Sequence, residues 1–355
     1  MTAIDRRDFG RLGIGAMVAA LAARGGMALA APSPVDPLAY VAPELQPSAR
    51  ELMNSRGTSD WTRAGLMKMR ASGGQPVAPR LPDVPVAEFK VPVGQGQPDV
   101  TVFVINARPG ARRPGILHTH GGGYILGSAA SEIAYEQALA RELDCVIVTV
   151  EYRLAPETTY VGSVEDNYAG LRWMHGQADR FGIDPARIVV MGESAGGGHA
   201  ARLAITARDR KEVPLAAQIL VYPMLDDRTG STVELPPFIG AVLWTPAANR
   251  LGWESFLGMA PGGPDVPAAG VPARVADLSG LPPAFIGVGG VDLFVREDLD
   301  YARRLTEAGV PTELVLSPGG YHAFDRIAPD TEISRRFTKA KLNALRKAFG
   351  QPVVE

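Results

Sequence analysis

From Pro114 onward, short unbroken runs of Val, Ile and Leu alternate with longer segments of helical pattern, and nothing else in the chain restricts its fold as much. The apolar runs fall at 115–119, 145–150, 187–191, 217–222, 284–288 and 312–316; the helical segments fall at 131–143, 163–181, 195–208, 297–309 and 331–349. A strand wetted on one face alternates apolar with polar residues. Continuous apolar strands spaced by helices are the pattern of a parallel sheet covered on both faces. Upstream, Val84–Val91 and Val100–Ile105 read as strands joined by a Gly-rich hairpin at Gly94 to Gly96, which gives the sheet an antiparallel start. The expectation is an α/β fold with a mostly parallel central sheet of about eight strands, flanked by helices.

At 355 residues the chain suffices for one large domain or two ordinary ones. Its 36 Lys and Arg are scattered among 38 Asp and Glu, and a formal charge of −2 supplies no long-range attraction to nucleic acid or an anionic membrane. Cys145 is the one cysteine, so an intramolecular disulfide is excluded, and in Cys-Val-Ile-Val-Thr-Val it reads as a buried strand residue.

Arg6-Arg7-Asp8-Phe9, the apolar stretch Leu12 to Ala23 and the small-residue site Ala28-Leu29-Ala30 together resemble a twin-arginine export signal. Asp5 and Gly10 depart from its usual residues. The apolar stretch is shorter than the about 20 residues that span a bilayer. Residues 1–31 are therefore expected to be a removable leader and not a stable membrane anchor, with a periplasmic or secreted mature chain starting near Ala31. Residues 32–83 read as a Pro-rich linker and N-terminal cap helices, with helical pattern over 48–70, and 84–355 as the sheet domain. A Pro- and Gly-rich insertion around 223–280 breaks the sheet's rhythm, and so long a connection points to a functional element. Its aromatics, Phe238, Trp244, Trp253 and Phe256, either line a pocket or form the insertion's own small core.

Gly192-Glu193-Ser194-Ala195-Gly196 lies between an apolar strand and a helical segment. In that setting it is a nucleophile elbow: a turn so tight that glycine is needed at 192 and 196, with the serine held proud of the sheet near the positive end of a helix dipole. His120-Gly121-Gly122-Gly123-Tyr124 ends another strand. Glycines there let backbone N–H groups approach a developing oxyanion. A metal site on His118-x-His120 is the competing interpretation, but no further ligand cluster stands at the right spacing. Asp292 follows the strand Phe285-Ile-Gly-Val, and His322 follows Leu314-Val-Leu-Ser. The chain order serine, acid, histidine suits a Ser-His-Asp triad on an α/β sheet. Glu297 is the rival acid, one helical turn further on, where a helix N-terminal charge explains it better. His118, His175 and His199 read as structural.

With these motifs the chain resembles the hormone-sensitive lipase-like α/β-hydrolases, known in bacteria as family IV esterases. The resemblance runs from about Pro114 to Phe324 and includes Glu151-Tyr-Arg-Leu-Ala-Pro-Glu157, Gly192-Glu-Ser-Ala-Gly-Gly197, Tyr222-Pro-Met-Leu-Asp-Asp-Arg and Gly320-Tyr-His-Ala-Phe324. It implies an α/β-hydrolase fold with a helical lid. It further implies oxyanion N–H groups from Gly122, Gly123 and Ala195, and hydrolysis of short to medium acyl esters without metal or cofactor. Tyr124, Leu293, Phe238 and Trp244 are the candidate substrate contacts. Three departures from the family pattern are Glu193 after Gly192, Leu-Phe-Val-Arg-Glu after Asp292, and Glu-Thr-Thr-Tyr after Pro156. They bear on substrate preference and not on reaction type. The expected partner is a small-molecule ester, with oligomeric state left open. An amidase or lactonase using the same triad, and a non-catalytic receptor on the same fold, are the alternatives; the presence of His322 argues against the receptor.

Overall fold

The computed structural model describes residues 35–55, 60–72, 78–94 and 96–355; the expected leader lies outside them. Eight strands form one sheet in the order β1-β2-β4-β3-β5-β6-β7-β8. They are β1 (Val86–Val91), β2 (Val100–Ile105), β3 (Arg113–Thr119), β4 (Val146–Glu151), β5 (Ile183–Glu193), β6 (Ala217–Val221), β7 (Ala284–Gly289) and β8 (Thr312–Ser317). The β1–β2 and β2–β4 pairings are antiparallel, and the pairings from β4 to β8 are parallel. Every apolar run in the sequence thus becomes a strand, and the N-terminal hairpin supplies the antiparallel edge.

The helices are α1 (Gln46–Ser55), α2 (Arg63–Ala71), α3 (Ala129–Glu142), α4 (Tyr160–Gly176), α5 (Ala178–Phe181), α6 (Ala195–Arg210), α7 (Pro246–Leu257), α8 (Val295–Glu307), α9 (Phe324–Ile327) and α10 (Glu332–Phe349). Because side chains alternate across a strand, each central strand feeds two cores. Val102, Val104, Leu117, Val148 and Val190 join Leu171, Ala200 and Leu305 on one face. Phe103, Ile105, Ile116, Ile147 and Val189 join Ile133, Phe337 and Leu345 on the other. Cys145 is buried in the second core, and burial pushes its thiol up to about 12, where it stays protonated. No described helix is long and apolar enough to cross a membrane.

Two helical regions differ from the expectation. The pattern over 48–70 divides into α1 and α2, because Thr62 accepts from the Gly65 N–H at 3.1 Å and starts a new helix. Within the insertion, Thr245 and Pro246 start α7 in the same way, with Pro at the first helical position. Trp253 and Phe256 on α7 are fully buried beside Tyr124, Leu66 and Leu293, in a third core that joins the insertion to the N-terminal helices. Asp36–Glu355 form one compact unit.

The N-terminal segment is fastened to the loop that follows β8. Ala42 donates to the Gly319 carbonyl at 3.0 Å, and Ser48 and Tyr321 share a hydroxyl–hydroxyl bond of 2.7 Å. Glu44 accepts from the first N–H groups of α10, where a carboxylate complements the helix dipole. Tyr40 stacks on Phe238 of the insertion with ring centroids 3.8 Å apart.

Candidate active site

β5 runs straight into Ser194, which takes φ 58° and ψ −122°, a conformation an L-residue adopts only when its surroundings force it. The Ser194 N–H donates to Val221 O at 2.9 Å, and its carbonyl accepts from Gly198 at 3.0 Å and Met224 at 2.9 Å. A Cβ on Gly192 would overlap the Gly196 carbonyl, and one on Gly196 would overlap the Thr119 carbonyl oxygen. Backbone from three strands meets there with no room for a side chain. The hydroxyl of Ser194 is consequently presented at the C-terminal edge of the sheet, at the start of α6.

Two loops bring His322 and Asp292 to it. His322 Nε2 lies 2.9 Å from Ser194 Oγ, and His322 Nδ1 lies 2.8 Å from Asp292 Oδ2. Asp292 is wholly buried, and its other oxygen accepts from the Phe294 N–H at 3.0 Å. An Nδ1–H donated to the carboxylate leaves the Nε2 lone pair facing the serine hydroxyl. The ring is held edge-on between Tyr222 and Phe294, with centroids at 4.9 and 5.2 Å. Glu297, the rival acid, is elsewhere: its carboxylate accepts from the Leu225 and Asp226 N–H groups and from the Thr229 hydroxyl, fixing the start of the insertion. It is a buried anchor and not merely a helix-end charge.

The glycine loop after β3 lies against the elbow. A Cβ on Gly121 would sit 3.0 Å from the Glu193 carbonyl oxygen and 3.5 Å from Ser194 Cβ. Gly122 and Gly123 take φ of 124° and 61°, which glycine alone adopts freely. Among the described residues, no protein acceptor takes the N–H groups of Gly122, Gly123 or Ala195. The loop is braced from behind. Tyr152 donates to the His120 carbonyl at 2.7 Å, and Ile125 and Leu126 N–H groups donate to Gly122 O at 3.1 and 2.8 Å. Arg70, on α2, donates to the carbonyls of Ile125 at 2.8 Å and Ala155 at 2.5 Å, and pairs with Glu157. Sequence reasoning missed Arg70, since nothing local marks a helix arginine as the brace of a loop 55 residues away.

The two histidines of His118-x-His120 go separate ways. His120 stacks on Tyr152 at 4.1 Å with Nδ1 2.8 Å from the Gly121 carbonyl, and burial lowers its pKa to about 4, so it is neutral at working pH. His118 contacts Glu136 and Glu193. His199 is buried among Tyr124, Tyr152 and Phe256. Of the candidate substrate contacts, Tyr124 is buried, stacks on Phe256 at 3.9 Å and donates its hydroxyl to Met224 O at 2.9 Å. Leu293 is fully buried beneath Gly240, and Phe238 is half-buried under Tyr40. Trp244 lies directly against Gly123, fixed by an indole bond to Asn249 at 3.1 Å, with Trp61 edge-on at 5.6 Å.

The family described as alpha/beta hydrolase fold matches residues 116–326, the span from β3 through the glycine loop, elbow, acid and base. The chain belongs to the α/β-hydrolase family. Within it the chain is a hormone-sensitive lipase-like esterase. Carboxylesterase NlhH of Mycobacterium tuberculosis is 36% identical over 242 residues, 66% of this chain and 74% of its own. An arylesterase of Saccharolobus solfataricus is 28% identical over 278 residues, 75% of this chain and 86% of its own. Among solved structures, a bacterial heroin esterase superposes with a TM-score of 0.74 at 35% identity, over 88% of this chain and 99% of its own. Carboxylic-ester hydrolysis is the activity of this α/β-hydrolase.

Proposed function

We propose that Ser194 is the nucleophile, His322 the base and Asp292 the acid of a two-step acyl transfer acting on esters of short to medium acyl chains. The observation that carries this reading is the continuous relay from Asp292 through His322 to Ser194, with bonds of 2.8 and 2.9 Å, beside N–H groups without a protein acceptor. Ser194 Oγ attacks the ester carbonyl as its proton passes to His322 Nε2. The tetrahedral oxyanion is received by the N–H groups of Gly122, Gly123 and Ala195, each donor worth about 3 kcal/mol of barrier. The imidazolium, stabilised by Asp292, protonates the departing alkoxide and leaves an acyl-enzyme. Water then enters, gives a proton to His322 and releases the carboxylic acid by the same route.

Among the candidate aromatic contacts, Trp244 walls the acyl site, since it is pressed on Gly123, one of the oxyanion donors. Ser194→Ala should abolish turnover of p-nitrophenyl butyrate and labelling by a fluorophosphonate while leaving the melting transition in place. Retained labelling of that variant would remove Ser194 from its role.

The twin arginines and the Ala28-Leu29-Ala30 site further support an exported enzyme. Expression of the full chain should yield a mature form starting near Ala31 outside the cytoplasm, and Lys-Lys in place of Arg6-Arg7 should hold it inside. A full-length protein found in the cytoplasm in both cases would refute export.

A further inference from the structure

We propose that His118 and Glu193 are positioning residues for ester hydrolysis, a buried charge couple that sets the elbow and the glycine loop against one another. The proposal rests on the reading of Ser194 as nucleophile. β3 and β5 are neighbours in parallel register, His118 opposite Met191 and Thr119 opposite Gly192. Glu193, two residues past Met191, therefore lies on the same face as His118, and His118 Nε2 meets Glu193 Oε2 at 2.8 Å. One partner precedes the nucleophile by a single residue. The other precedes the glycine loop by two.

Charged and hydroxyl groups from neighbouring elements face the couple. From α3, Glu136 makes a close contact of 2.6 Å with His118 Nδ1, and from β4 the Thr149 hydroxyl lies at 3.5 Å. Lys341 of α10 and Arg326 of α9 act electrostatically on Glu193 from the same face. Those two continue the layer: Lys341 Nζ pairs with Asp325 at 3.2 Å and donates to Tyr135 at 3.1 Å, while Arg326 pairs with Glu132 at 2.9 Å. Tyr222 donates its hydroxyl to Asp325 at 3.0 Å and sets its ring beside His322. The layer thus touches three of the four segments that make the site, namely the strand before the glycine loop, the strand before Ser194 and the helix after His322; the loop carrying Asp292 is the fourth.

Burial works against charge at each of these groups, and the outcomes differ. For His118, burial favours the neutral ring, but Glu193 and Glu136 outweigh it and hold the imidazolium well above its ordinary range. For Glu193, burial raises the pKa, yet His118, Lys341 and Arg326 bring it down to about 2. Burial keeps the Glu136 pKa raised despite His118. The His118 imidazolium thus links the two strands through Glu193, while Glu136 abuts the same ring from α3. A buried ion pair contributes little net stability compared with apolar packing. What it supplies is a short, directional link between two backbones whose relative placement decides whether the hydroxyl faces the oxyanion donors.

Misplacing a reacting group by an ångström costs about 100-fold in rate. The test measures kcat and KM for p-nitrophenyl butyrate, with melting temperatures, in Glu193→Gln, His118→Gln and the double variant. Fluorophosphonate labelling of the wild type at Ser194 checks the underlying reading separately. The expected result is a kcat reduced by about 100-fold in each single variant, with KM within about two-fold. The double variant should be no slower than either single one, because the couple acts as one unit. Wild-type kcat in both single variants, or losses that multiply in the double variant, overturns the proposal. So does unfolding of the single variants, which would make the couple a requirement of the fold and not of the geometry.

Discussion

Backbone shapes the mouth of the sheet, whereas side chains hold the cover above it. Around Ser194 the carbonyls of Thr119, His120 and Gly196 stand where any Cβ at 192 or 196 would have to go, and the serine itself is held in a strained conformation by three main-chain bonds. In the cover, the N-terminal helices and the insertion meet each other through Trp61 against Trp244 and Tyr40 on Phe238, and the guanidinium of Arg70 ties them to the glycine loop. A contact made of backbone has no substitute. One made of side chains can be exchanged for another of similar shape.

Substitutions in the two regions should therefore separate in kind as well as size. The largest effect belongs to Asp292→Asn, which keeps the shape but loses the tautomer control of His322; kcat should fall by about 10⁴-fold with KM little changed, as steady-state kinetics would show. A fall of only a few-fold would place the acid elsewhere. Gly196→Ala comes next, forcing backbone apart at the elbow at a cost of about 3 kcal/mol in chemical denaturation, together with loss of fluorophosphonate labelling. Arg70→Ala frees the back of the glycine loop from the cover and should lower kcat/KM by about 10-fold, the worth of roughly one charged hydrogen bond, because Tyr152 and the Ile125 and Leu126 N–H groups still brace the loop. An effect as large as that of Asp292→Asn would erase the distinction between mouth and cover.

The smallest effect concerns stability. Asp298 on α8 is wholly buried, neither carboxylate oxygen has a hydrogen-bond partner, and burial first, then Glu297 and Asp292, raises its pKa well above the usual range. A group whose folded pKa is raised contributes its full stability below the unfolded value of about 3.9 and loses it as pH rises toward the folded one. Asp298→Asn should therefore raise the melting temperature by about 2 °C at pH 7.5 and leave it unchanged at pH 3.5. An equal shift at both values would show that the carboxyl does not titrate differently on folding.

The same division governs what could be read in the chain. Every strand, the elbow, the glycine loop, the acid and the base stand in continuous local patterns, because backbone geometry demands particular residues at fixed spacing. The cover was less legible. The break before α2 and the start of α7 were signalled by Thr62 and by Thr245-Pro246, yet helical periodicity alone runs through the first and a Pro- and Gly-rich composition hides the second. Which aromatics pack into the third core away from the glycine loop and which lie against it could not be read from sequence, since Trp253 and Trp244 differ only in what tertiary structure lays against them. Glu136 was equally invisible. A glutamate on a helix resembles any surface charge until a histidine from another strand is found beneath it.

The order of the pieces along the chain carries a further consequence. The hydroxyl of Ser194 and the glycines before it come from the middle of the sequence, but His322 comes near the end, and its loop is fastened to the opening residues by Ala42 and Ser48. A polypeptide interrupted between positions 225 and 322 would contain the glycine loop, Ser194 and the main-chain partners that strain it, but would lack the imidazole that stands 2.9 Å from the hydroxyl. The proposed relay is therefore complete only in a chain that reaches its last strand and ties the loop after it to residues 42 and 48.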